Sequence, residues 1–453
     1  MNIFSYFTNT KHKPAKASSA AYKLLLAMAV AGTNIQSATA ATDADAMLEQ
    51  FGLEYDINTT SDPQAKYAME LQRRLMLDVP IYYTSFLGTH NSYNSEAYNI
   101  TLWPQQEMTV IGQMNEGVEW IELDVHHVWT TGHDIDFCHG EFCYFDSVNS
   151  HSILDDLREW AEDMNAKDTT RTAVIYIESD LEDNEYYTDL KNQLNSRVGA
   201  EHIYMPTDYK NDFPNGANVT ANKATSFPES ELTRQHLLDK GKRFVIYFSG
   251  YNKSDNHEVL DWIFEDSGKL NGSRVWEKDG YPTSSSTLNI TGSDLIGYWQ
   301  DGKSVIGLHD VHTDDGRFRE NAQWSWSDGE PNDAGSGEDC AELRTDYDDN
   351  RWNDASCSYT RRAACKWTGG SELYSKDNSA IYNLWSLSAS TTTWAGAEQA
   401  CQDLGSDWHF EVPRNAIENA VLAAIAEEAG VTKVWLNYTD SAQEGIFTTP
   451  SQR

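Results

Sequence analysis

Six short runs in the first two thirds of the chain are apolar almost without a break: Thr84–Gly88, Trp120–Val125, Ile135–Cys138, Ala173–Glu178, Phe244–Ser249 and Ser304–Leu308. Runs of this length, without regular polar alternation, suit strands buried on both faces, as in a parallel sheet covered by helices. Between them the period changes. Over Ser152–Asn165, Ile153, Leu154, Leu157 and Trp160 recur on one side of a helix, and Leu232–Lys240 reads as a second helix just before a strand. Strand–helix alternation followed by a strand-rich tail predicts an α/β barrel with a separate module behind it. Residues Ala41 to about Tyr67 read as a mixed, acidic lead-in. Tyr209–Phe227, rich in Asn, Pro and Thr, reads as a surface loop, and Asn271–Gln300 carries no comparable run.

Four of the strand ends deliver chemistry. Gly88-Thr89-His90-Asn91-Ser92, Glu119-Trp120-Ile121-Glu122-Leu123-Asp124, Cys138-His139-Gly140 and Ile175-Tyr176-Ile177-Glu178 each bring imidazole, carboxamide or carboxylate to a C-terminal end. In a parallel barrel those ends meet at one mouth. Two histidines there can exchange protons near neutral pH. Asn91, Glu122, Asp124 and Glu178 are hard oxygen donors of the kind Ca²⁺ takes.

In order and spacing these four segments resemble the catalytic X region of phosphatidylinositol-specific phospholipase C in its Ca²⁺-dependent form, over roughly Leu71 to Asp314. The resemblance implies a TIM-barrel-like domain that cleaves a (glycero)phospholipid phosphodiester. It implies His139 as general acid, and His90 as the histidine that contacts the phosphate and helps in proton transfer. Asn91, Glu122, Asp124 and Glu178 match the Ca²⁺ ligands, with Glu122 or Asp124 assisting as base. Cofactor-free relatives place an arginine near the metal position, and none stands beside Glu122 or Asp124 here. His126, His127 and His133 match no role and read as solvated or packing residues; Asp180 is an alternative to Glu178. Lys242, Arg243, Tyr247, Ser249 and Tyr251 are the nearest candidates for holding a headgroup.

Beyond Trp324 the chain resembles a C-type lectin domain of the mannose-selecting sort, its halves inverted. Trp324-Ser325-Trp326, Glu330-Pro331-Asn332, Glu338, Cys340, Trp352-Asn353-Asp354, Cys357 and Cys365 look like the second half. Trp394, Cys401, Val412-Pro413-Arg414-Asn415 and Val434-Trp435-Leu436-Asn437 look like the first. The resemblance implies Cys340–Cys357 and Cys365–Cys401 disulfides, using all four cysteines of this part, which favours one permuted domain over two truncated ones. It also implies Glu330, Asn332, Glu338, Asn353 and Asp354 as ligands of a second Ca²⁺ that would hold a mannose-type glycan, with a cis peptide before Pro331. Val305–Leu308 resembles both a last barrel strand and a lectin strand, and is assigned to the barrel.

Composition adds the setting. Lys11, Lys13, Lys16 and Lys23, an apolar run from Leu24 to Ala31, and Ala38-Thr39-Ala40 have the form of a secretory signal peptide cleaved after Ala40; an anchor that stays attached is the alternative. Without residues 1–40 the chain keeps 30 basic against 70 acidic side chains, about −40, which excludes nucleic acid as a partner and limits anionic membranes to transient contact. Six cysteines in an exported chain predict three disulfides, one closing the tight loop between Cys138 and Cys143. The expected domains are 1–40 signal peptide, 41–70 lead-in, 71–318 phospholipase-C-like barrel and 319–453 lectin-like α+β domain. The expected function is a secreted phosphoric diester hydrolase acting on a phosphoinositide or related phosphodiester. The alternatives are an inactive barrel presenting a Ca²⁺-dependent carbohydrate-binding module, and a glycerophosphodiester phosphodiesterase, although that family carries His-Arg-Gly where His90-Asn91-Ser92 stands.

Overall fold

The computed structural model of the chain describes residues 44–53, 63–101, 104–128, 135–140, 143, 147–214, 219–220, 223–224, 232–249, 257–265, 274–276, 305–309, 323–334, 337–346, 350–369 and 384–449. The expected leader 1–40, His133, Tyr251 and most of Asn271–Gln300 lie outside these residues.

Helix α1 (Pro63–Leu75) precedes five parallel strands: β1 (Ser85–Thr89), β2 (Trp120–His126), β3 (Ala173–Ser179), β4 (Phe244–Ser249) and β5 (Val305–His309). They lie side by side in the order β4-β3-β2-β1-β5, each starting within a residue of the apolar run that predicts it. Alternation divides their side chains between two cores. Ile121, Leu123, Val125, Ile175, Ile177, Ile246 and Phe248 pack against Ile153, Leu157 and Trp160 of helix α2 (Ser150–Ala166). Trp120, Tyr176 and Tyr247 face the other way and meet one another, with ring centroids 4.9–5.7 Å apart. Both faces are covered, which is why these runs lack polar alternation. Phe264–Glu265 extends the sheet beside β4 and Arg274–Trp276 beside β5. Residues 266–273, between those two edges, are not described, and the sheet is open among the described residues.

One expected barrel strand takes another role. Asp136–Phe137, within Ile135–Cys138, pairs antiparallel with the end of β2. Nine residues separate it from β2, too few for the crossover a parallel neighbour needs. Tyr209–Phe227, expected as loop, contains the end of a short helix, Pro206–Asp212, and the antiparallel pairing of Val219–Thr220 with Lys223–Ala224.

The C-terminal part forms a second sheet from β6 (Cys340–Arg344), β7 (Trp352–Ala355), β8 (Arg362–Trp367), β9 (Trp385–Leu387), β10 (Trp408–Phe410) and β11 (Lys433–Thr439). The order is β7-β6-β11-β8-β9, with β10 on β8, and helix α3 (Ala416–Glu428) beside it. The last strand in sequence therefore lies between two strands of the preceding half, antiparallel to β6 and parallel to β8. Both halves share one sheet. The disulfides are Cys138–Cys143, Cys340–Cys357 and Cys365–Cys401.

Helix α1 joins the two sheets. Twelve of its 13 residues are buried, including Lys66, Glu70 and Arg73 of its polar stripe, and it runs through the boundary expected at residue 71. On one side Gln72 Oε1 accepts from the Trp324 and Ser325 amides at 2.9 and 3.2 Å, and Tyr67 donates to the Gly445 carbonyl at 2.6 Å. On the other side, Arg73 bonds both Glu70 and Glu119, the residue that leads into β2. Arg234 reaches Glu119 at 2.6 Å and Arg171 reaches Glu70 at 3.4 Å.

Candidate active site

The turn after β1 is stitched to β2. Ser92 N donates to the Glu122 carbonyl and Ser92 Oγ accepts from the Glu122 amide, both at 2.9 Å. Thr89 Oγ1 lies 2.7 Å from Ser92 Oγ and donates to Gln113 Oε1, whose amide returns a bond to the Ser92 carbonyl at 2.8 Å. Held this way, Asn91 takes a positive φ of 43° and is buried. Asparagine is among the few non-glycine residues that enter that region readily.

Parallel register brings the carboxylates together. Asp124 stands opposite Glu178 in the β2–β3 ladder, and Glu122 lies two residues earlier on the same side. One oxygen each from Glu122, Asp124 and Glu178 falls within 4.8 Å of the others. Asp124 is 5 % exposed, and its Oδ2 accepts from the Tyr93 hydroxyl at 2.9 Å. Its Oδ1 is buried with no hydrogen-bond partner among the described residues. Burial first, then the charges of Glu122 and Glu178, push its carboxyl up to about 7, against smaller opposing effects from the Tyr93 hydrogen bond and then His90. The buried arginines Arg73, Arg171, Arg234 and Arg243 bond at the other end of the strands. Three carboxylates within reach of one another, one with an orphaned buried oxygen, fit a divalent cation such as Ca²⁺.

His90 lies at the rim, where Gln105 Nε2 meets its Nδ1 at 2.9 Å. Gln105 Oε1 also accepts from Asn91 Nδ2 at 2.7 Å, and Gln106 donates to the His90 carbonyl at 2.7 Å. His139 is exposed, on the loop closed by the Cys138–Cys143 bridge, and the Cys138 amide donates to the Asp124 carbonyl at 3.1 Å. Burial lowers the pKa of His126; Asp180, 3.4 Å away, opposes that, and the nearby charge of His139 adds to it. His127 stacks on Tyr186, with ring centroids 3.8 Å apart.

Two candidates for the headgroup face elsewhere. Arg243 is at the start of β4, where it donates to the Thr169, Arg171 and Met164 carbonyls and to Asn165 Oδ1, tying off the end of α2. Lys242 donates to the Ala200 carbonyl at 2.7 Å. A residue that enters a strand cannot reach the mouth at its far end. Tyr247 is fully buried against Trp120 and Tyr176. Sequence reading missed Tyr93, Gln105 and Gln113. Tyr93 directly follows the His-Asn-Ser turn, while nothing local marks the two glutamines.

In the second sheet, the Glu330–Pro331 peptide is cis. Asp354 Oδ2 accepts from the Asn332 and Asp333 amides at 3.0 and 2.7 Å, and Asn353 donates to the Asp354 carbonyl. The buried carboxyls of Glu330 and Asp354 face each other, and burial raises the pKa of both. Glu338 is partly exposed; among the described residues it does not close with Glu330 and Asp354 as the three barrel carboxylates close on one another.

Residues 295–367 match the lectin C-type domain family. The match crosses the boundary expected at 318/319 and takes in β5, which in the structure pairs with β1 of the parallel sheet. Two uncharacterized proteins of Mycobacterium tuberculosis, from strains CDC 1551 and H37Rv, are each 26% identical over 424 residues, covering 81% of this chain and 78% of theirs. Among solved structures, the phosphatidylinositol-specific phospholipase C of Listeria monocytogenes overlaps 53% of this chain and 77% of its own, at 14% identity and a TM-score of 0.34. A calcium-dependent phosphoinositol-specific phospholipase C from a Pseudomonas species overlaps 55% and 94%, at 13% identity and 0.35.

Proposed function

We propose that the protein is a secreted, Ca²⁺-dependent phosphodiesterase of the phosphatidylinositol phospholipase C type. The approach of Glu122, Asp124 and Glu178 to one another, with one Asp124 oxygen buried and orphaned, beside His90, carries this reading. These three residues and Asn91 would hold the ion. Bound there, Ca²⁺ would lower the pKa of the attacking hydroxyl and offset charge on the phosphate. Glu122 takes the proton of the inositol 2-hydroxyl as its oxygen bonds to phosphorus. His139 gives a proton to the departing glycerol oxygen as the old P–O bond breaks, leaving a cyclic phosphate and diacylglycerol. The exposure of His139 leaves it accessible to a substrate at a membrane surface.

Residues 319–453 are proposed as one permuted lectin-like domain, since both halves share a sheet. Its loop residues Glu330, Asn332, Glu338, Asn353 and Asp354 would hold a second Ca²⁺ and a mannose-type glycan. Export is supported by the three disulfides; among the described residues no helix is long and apolar enough to cross a membrane.

The test is release of water-soluble inositol phosphate from phosphatidylinositol vesicles, in Ca²⁺ and in chelator. Turnover that needs Ca²⁺ is expected, and turnover that survives chelation would remove the ligand assignment.

A further inference from the structure

We infer that Gln105 is a positioning residue that couples the cation site to the tautomer of His90; the inference rests on reading Asn91 as a ligand of that cation. The contacts form a chain. Asn91 Nδ2 donates to Gln105 Oε1 at 2.7 Å, Asn94 Nδ2 donates to the same oxygen at 3.1 Å, and Gln105 Nε2 stands 2.9 Å from His90 Nδ1. The backbone holds the participants in place, because the amides of Gln105 and Gln106 donate to the Asn94 carbonyl at 2.9 and 3.0 Å.

A carboxamide has one accepting oxygen and one donor-only nitrogen. Three such groups that meet at Gln105 therefore have two self-consistent directions, one with every amide as described and one with all three reversed. The end at Asn91 decides between them. Asn91 Oδ1 is 3.5 Å from the Tyr93 hydroxyl, which also bonds Asp124, so this atom faces the carboxylates. A hard cation takes oxygen and never an amide NH₂. With the Asn91 oxygen turned to the ion, its NH₂ turns to Gln105. The Gln105 oxygen is then occupied by two amide donors, and its own NH₂ faces the imidazole. Nδ1 must accept, so the neutral ring carries its proton on Nε2. His90 thus meets the substrate as an N–H donor, suited to a phosphate oxygen, and the proton given to the leaving group comes from His139.

The experiment reads the tautomer directly, apart from turnover. Protein labelled with ¹⁵N-histidine is examined by long-range ¹H–¹⁵N spectra at about pH 9, where imidazole is neutral, in Ca²⁺ and in chelator. His90 is assigned by its loss in His90→Gln. In Ca²⁺, Nε2 is expected protonated and Nδ1 bare. Gln105→Glu puts an accepting oxygen where the NH₂ stood and is expected to move the proton to Nδ1. A wild-type ring protonated at Nδ1 in Ca²⁺ overturns the inference even if the variant fails to fold, and so does a Gln105→Glu ring identical to wild type. Calorimetric titration of Ca²⁺ into wild type and Asp124→Asn separates the two readings. Equal heats would sink the barrel cation site whatever the tautomer of His90.

Discussion

At the residue scale, the site is held by bonds that local sequence does not advertise. Tyr93 occupies one oxygen of Asp124 and leaves the other bare beside Glu122 and Glu178. That bare oxygen predicts linkage between Ca²⁺ and stability. At a hundredfold excess over its dissociation constant the ion would add about 2.7 kcal/mol. The thermal midpoint should therefore rise on adding Ca²⁺, and the part due to the barrel should vanish in Asp124→Asn; an equal rise in both proteins would place the binding elsewhere. His139→Ala should lower turnover by at least ~10² if His139 is the acid. The readout is initial rate on vesicles, and an unchanged rate would remove it from the mechanism.

At the element scale, α1 carries the buried charges. Burial pushes Glu70 up, but Arg73, then Arg171 and Arg74, outweigh it and hold its carboxyl at about 2, against 4.5 when unfolded. Because the folded value is the lower one, this contribution to stability is fully present above pH 4.5. It is lost progressively as pH falls towards 2. Urea midpoints measured across that window should fall more steeply in wild type than in Glu70→Gln. Arg73→Met would leave Glu70 and Glu119 without their shared partner and should cost roughly 3–5 kcal/mol, the usual penalty for breaking a buried pair. A loss under 1 kcal/mol would mean that Arg171 and Arg234 suffice for both carboxylates.

At the scale of the whole molecule, one hydrophobic core takes in Leu71 and Leu75 of α1, Phe86 and Trp120 of the parallel sheet, and Trp326, Trp352 and Tyr438 of the other part. Elements that share a helix and a core should unfold together. A single calorimetric transition is expected, with both sheets melting at one temperature; two resolved transitions would show that α1 belongs to only one of them. The contact of Gln64 with the Pro331 carbonyl extends the same coupling to the lectin-like loop.

The sequence by itself determined the five parallel strands, the carboxylates at the ends of two of them and the bridge that closes the Cys138–Cys143 loop. Each of these is written in local runs or short motifs: continuous apolar stretches because both faces are buried, and carboxylates at alternate positions because the strand period is two. Only the tertiary structure decided the rest. Helix α1 has a polar stripe, but nothing local shows that this stripe is buried and that Glu70 and Arg73 meet partners from distant segments. Asp136–Phe137 turns back on β2 because its connection is short. Arg243 and Lys242 are removed from the mouth by standing at the wrong end of their strand. Val305–His309 fits two patterns equally well as a string, and its pairing with β1, while β11 fills the place between β6 and β8, resolves the choice. Gln105 was silent for the same reason as α1: its role lies in which side chains the fold brings to its two ends.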